Sequence, residues 1–125
     1  MSAAEASLEL APDPTSPMKA RAFIAMALHE WGCDGVEDVA TLLVSEVVTN
    51  AVTQVESTAV LTARHADGRV EVRVEDRSDS VPRLRQAAAD DESGRGLMLV
   101  DALAERWGVE PLANGGKAVY FALQC

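Results

Sequence analysis

Glu46 and Asn50 stand four residues apart in the stretch SEVVTNAV, Ser45 to Val52. A carboxylate can take a proton from a hydroxyl, and a carboxamide oxygen can ligate a hard cation. On a helix this spacing puts the two side by side. With Val39 set at zero and a turn of 3.6 residues, Glu46 falls at about −20° and Asn50 at about +20°. Val39, Leu42, Leu43 and Val47 share that arc, whereas Glu37, Asp38, Thr41 and Ser45 take the opposite side. The spacing therefore predicts an acid and an amide turned toward the interior, in the middle of the apolar arc. Either they hydrogen-bond each other in a dry core, or that face of the helix is also the wall of a ligand pocket.

Two further signals share this character. Val70, Val72 and Val74 alternate with Arg69, Glu71, Arg73 and Glu75, and Asp76 continues the valine phase. Its carboxylate then points inward, where something must meet it, or the strand ends there in an Asx turn with Arg77 and Ser78. Gly94 and Gly96 flank Arg95 ahead of Leu97 at the start of a helical pattern. Glycines at a helix entrance let backbone N–H groups approach an anion such as phosphate, or simply make a flexible entry. One ligand accounts for all three signals. A nucleoside triphosphate offers an amine for Asp76 and phosphates for the glycines. It also brings Mg²⁺, for which the Asn50 oxygen is a ligand, and Glu46 then lies near the terminal phosphate as a general base.

These residues need elements to hold them. A short strand at Ser7 to Leu10 and a Pro-rich turn, APDPTSP, precede a helix on which Ile24, Ala27, Leu28 and Trp31 recur at helical spacing, with Gly32 at its C-cap. A second helix runs from about Gly35 to Val52 or Val55. TAVLTARH and RVEVRVED read as two strands joined by Asp67-Gly68, a strong hairpin signal. Arg77 to Ser93, with Pro82, reads as a loop with at most one helical turn at Arg83 to Ala89. A third helix is expected from near Gly96 to Trp107, then a turn at Ala113 to Gly116 and a last strand at Ala118 to Leu123. Helix, helix, hairpin, helix, strand is not βαβ alternation. The expected fold is α+β, a mixed, mostly antiparallel sheet covered on one face by about three helices.

The chain of 125 residues is sized for a single domain, 1–125. Eleven basic residues against twenty acidic ones, a net charge of −9, argue against a nucleic-acid groove and against an anionic membrane surface. The longest apolar run, Ala22 to Leu28, falls far short of a membrane helix, and MSAAEASLEL lacks the makings of a signal peptide. Cys33 and Cys125 show neither a disulfide framework nor a metal-ligand spacing. They read as incidental thiols, and the expected location is cytoplasmic. His29 and His65 read as surface or satisfied residues, and Lys117 as support for the last strand.

SEVVTNAV, VEDRSDSVP and GRGLMLVDAL together resemble the N, G1 and G2 boxes of the GHKL ATPase superfamily. More narrowly, the chain is similar to the actinobacterial anti-sigma-factor serine/threonine kinase-like ATP-binding proteins. That resemblance implies a two-layer α/β sandwich of the Bergerat type, ATP with Mg²⁺, and a part in partner switching. There the protein holds a sigma factor inactive, or phosphorylates an anti-sigma antagonist on Ser or Thr. It assigns Glu46 as catalytic base, Asn50 as metal ligand, and Asp76 as the acid that reads adenine. Pro82 falls in the G1 box, and Gly94, Arg95, Gly96 and Leu97 form the hinge of a phosphate lid. A non-catalytic nucleotide-binding module that sequesters a protein partner fits the same boxes, and a homodimer is compatible with them. The sequence departs from the pattern at Arg77-Ser78-Asp79-Ser80, where many relatives have glycines, and at Ala118, where many have Thr.

Overall fold

A computed structural model describes residues 3–54, 57–77, 92–113 and 115–125. Its strands are β1 (Ala4–Leu10), β2 (Ala59–Ala66), β3 (Arg69–Asp76), β4 (Arg106–Pro111) and β5 (Lys117–Gln124). The helices are α1 (Ser16–Glu30), α2 (Glu37–Thr49) and α3 (Glu92–Leu103), with a 3₁₀ turn at Asp34–Val36 and a π turn at Asn50–Gln54. The sheet order is β1-β2-β3-β5-β4, and every neighbouring pair is antiparallel. The chain is thus α+β with helices on one face, and the parallel component of a mixed sheet is absent among the described residues.

Local chemistry accounts for most of these elements. Pro17 opens α1, where its fixed φ suits the first turn. Gly32, at φ 72°, closes the helix as the C-cap position requires, and the Cys33 amide reaches back to the Leu28 carbonyl. Asp67 and Gly68 both have positive φ, 55° and 74°, as a two-residue hairpin turn demands. Val70, Val72 and Val74 of β3 face the helices together with Leu61, Phe121 and Leu123. They meet Ile24, Leu28, Leu43, Val44, Val48 and Val100 in one continuous core. The opposite face of the sheet is charged: Arg73 bridges Glu75 and Glu110 at 2.9 and 2.7 Å, and Arg69 binds Glu105 at 2.6 Å.

Several expectations need correcting. The third helix does not reach Trp107; it ends at Leu103, and Trp107 lies in β4, opposite Phe121 of β5 in register. Gly94 and Gly96 lie inside α3, not before it. The buried stripe of α2 is Ala40, Leu43, Val44, Val47 and Val48, while Leu42 is 41% exposed. That stripe is rotated by about 100° from the arc read off the sequence, so Glu46 and Asn50 sit half-buried on its flank, not at its centre. Cys33 and Cys125 are not incidental thiols. They form a disulfide with Cα atoms 5.4 Å apart, across 92 residues of sequence. Spacing along the chain could not show a pair made by the fold, and the argument from unpaired cysteines to a reducing compartment falls with it. Pro82 and the segment 78–91 lie outside the described residues.

Candidate functional site

The C-terminal end of α2, the π turn, the end of β3 and the start of β5 converge at one end of the sheet. Asp76 is the last residue of β3, paired in register with Ala59 on one side and Lys117 on the other. It is 4% exposed, as the valine phase predicts, and it has not turned away in an Asx turn. What meets it is Lys117, equally buried, with Nζ 3.0 Å from Oδ2 and 3.2 Å from Oδ1. Lys117 is therefore a residue of the site, which its sequence position did not reveal. Ala118, where many relatives have Thr, lies in register between Glu75 of β3 and Glu110 of β4.

Gly116 explains how β5 begins so close to this carboxylate. A Cβ there would collide with the Asp76 carbonyl oxygen, so only a glycine lets the two backbones approach this way. Ser57 is a second residue that sequence reasoning passed over. Its amide donates to the Ala51 carbonyl at 3.3 Å, and its Oγ accepts from the Arg77 amide at 2.9 Å. It thereby ties the π turn that begins at Asn50 to the strand end that carries Asp76.

On the helical side, Glu46 faces α3. A Cβ on Gly96 would lie 3.2 Å from both Cβ and Oε1 of Glu46, so the glycine lets α3 pack against the acid. Leu97 follows and is buried in the core, while Gly94 and Arg95 lie in the first turns of α3 as described. Asn50 leaves α2 as its C-cap, its amide donating to the carbonyls of Glu46 and Val47. The π turn that starts there is a rare local geometry, found frequently at functional sites. Glu46 and Asn50 are both half-buried, beside the fully buried stripe of α2 and not within it.

Glu46 and Gly96 thus meet at the α2–α3 contact, Asn50 opens the π turn one helical turn further on, and Asp76 and Lys117 pair at the end of the sheet. The donors on α2 are hard oxygens, a carboxylate and an amide one turn apart, and that set suits Mg²⁺, not a soft metal. Among the described residues, no helix is long and apolar enough to cross a membrane.

Comparison with known proteins places the fold. No curated protein matches the sequence significantly. Among solved structures, the crystal structure of the RsbU and RsbW domains of Rv1364c from Mycobacterium tuberculosis matches 97% of this chain, with a TM-score of 0.74 and 23% identity. This chain spans 32% of that one, and the likeness is one of fold. The sequence profile of the histidine kinase-like ATPase domain matches residues 10–123. With nearly its whole length covered by that profile, the chain belongs to the histidine kinase-like ATPase domain family.

Proposed function

We propose that this domain binds ATP with Mg²⁺ and transfers its terminal phosphoryl group to a Ser or Thr of a protein antagonist in a partner-switching circuit that controls a sigma factor. The observation that carries this reading is the placement of Glu46, half-buried against Gly96 of α3 and one turn from Asn50, at the same end of the sheet as buried Asp76. Asp76 accepts from the exocyclic amine of adenine. Lys117 Nζ, 3.0 Å from Oδ2, holds the carboxylate in place at the end of β3. Asn50 would offer the side-chain oxygen that holds Mg²⁺. When bound, the metal neutralises the charge of the phosphate oxygens. Glu46 takes the proton from the attacking hydroxyl as its oxygen bonds to the γ-phosphorus and ADP departs. Gly94 and Gly96 give α3 the freedom to bring backbone near the phosphates.

The test is transfer of radiolabelled phosphate from ATP to candidate antagonist proteins by the parent and by Glu46→Gln. Gln keeps the size and hydrogen bonding but takes no proton at neutral pH. The kinase reading predicts near-parental ATP binding and transfer slowed by about 10²- to 10⁴-fold. Parental transfer by Glu46→Gln removes the role of Glu46. A parent that binds ATP and a protein partner but transfers nothing makes the domain a sequestering module.

A further inference from the structure

At the end of the sheet opposite Asp76, three potential ligands come together from three elements. Cys33 follows α1 and is buried, and Cys125 follows β5 and is exposed, its amide held by the Gly68 carbonyl at 2.9 Å. His65, half-buried on β2, stacks its ring on Trp31 at 5.8 Å between centroids and 13° between planes. One ligand atom from each of Cys33, His65 and Cys125 lies within 4.8 Å of the others. We propose that this cluster, once its disulfide is reduced, is a zinc site with Cys33 Sγ, Cys125 Sγ and a His65 ring nitrogen as ligands.

The geometry and the chemistry of the donors both favour this. Bonds of about 2.3 Å to sulfur and about 2.0 Å to nitrogen put tetrahedral ligand atoms about 3.5–3.8 Å apart, inside the span the three already occupy. Reduction frees the two sulfurs to separate to that distance by side-chain rotation, while the stack on Trp31 keeps the imidazole beside them. Thiolate and imidazole together select zinc over Mg²⁺ or Ca²⁺. The exposed side at Cys125 leaves the fourth position to water. The reductant is a small dithiol. It gives two electrons and two protons to the sulfurs of Cys33 and Cys125 and leaves as its own disulfide. Zinc then displaces the two thiol protons and binds two thiolates and a neutral imidazole. Nothing in this site touches Glu46, Asn50, Asp76 or Lys117, so it stands or falls independently of the nucleotide reading.

The experiment uses the full chain, reduced with a dithiol, desalted without oxygen and titrated with zinc against a chromogenic chelator. Circular dichroism follows the fold in parallel. The expected result is one zinc per reduced chain and none per oxidised chain, with a thiolate-to-metal charge-transfer band when cobalt replaces zinc. Cys125→Ser should abolish that binding. His65→Ala, which leaves the disulfide intact when oxidised, should weaken it at least about tenfold. If Cys125→Ser does not fold, His65→Ala decides alone. Substoichiometric zinc on the reduced parent, folded or not, overturns the proposal. So does zinc binding by a folded Cys125→Ser or His65→Ala equal to the parent's.

Discussion

Asp76 and Lys117 form a pair in which each charge is buried and each compensates the other. Breaking a buried ion pair by removing one partner costs about 3–5 kcal/mol, whereas replacing both by apolar side chains is often close to neutral. Asp76→Leu and Lys117→Met should therefore each lower stability strongly, and the double variant should lose much less than their sum. Urea denaturation of the four proteins checks this, and additive losses would mean the pair is not coupled. Asn50 is different in kind, because it is half-buried on a helix flank and its proposed role is toward a ligand. Asn50→Ala should leave thermal stability within about 1 kcal/mol of the parent but remove the Mg²⁺-dependent part of ATP binding, measured by calorimetry. Asp76 was legible in the sequence because three valines fix the phase of β3. Lys117 was not, because it opens a strand buried along nearly its whole length, where no alternation marks which side faces the carboxylate.

Two glycines position whole elements. Gly96 brings α3 onto Glu46, and an added Cβ would be held at 3.2 Å from a Cβ that cannot swing away. Gly96→Ala should change stability by no more than about 1 kcal/mol, since better helix propensity offsets the tight contact, yet it should slow phosphate transfer by displacing the acid. Gly116 has no such escape, for its neighbour is backbone. Gly116→Ala should destabilise the fold by about 1–3 kcal/mol, read from the denaturation midpoint. At this scale the sequence was most informative where a local rule decides the geometry. Asp67-Gly68 made the hairpin visible because few residues adopt positive φ twice in succession. β4 was hidden because Ala104-Glu105 carries no Gly or Pro, and only pairing with the distant β5 turns Arg106–Pro111 into a strand. The face of α2 was misjudged because Leu42 looks like core by type, whereas α1 and the sheet settle which stripe is buried.

Across the whole molecule, the disulfide and the proposed nucleotide site lie at opposite ends of the sheet. Closing a 92-residue separation restricts the unfolded chain, which in the chain-entropy description stabilises the fold by about 4–5 kcal/mol. Reduction without zinc should lower the denaturation midpoint accordingly while ATP affinity at temperatures where the chain stays folded changes little. A loss of affinity in step with reduction would show that the two ends communicate. The proposed nucleotide site lies at the end of the sheet where Asp76 and Lys117 meet, beside Glu46 and Asn50 of α2. Isothermal titration of ATP into the oxidised chain, with and without Mg²⁺, tests it most directly. The structure predicts saturable binding to one site per chain, tighter with Mg²⁺ and loosened in Asn50→Ala only when Mg²⁺ is present. No binding heat at millimolar ATP under either condition would contradict it.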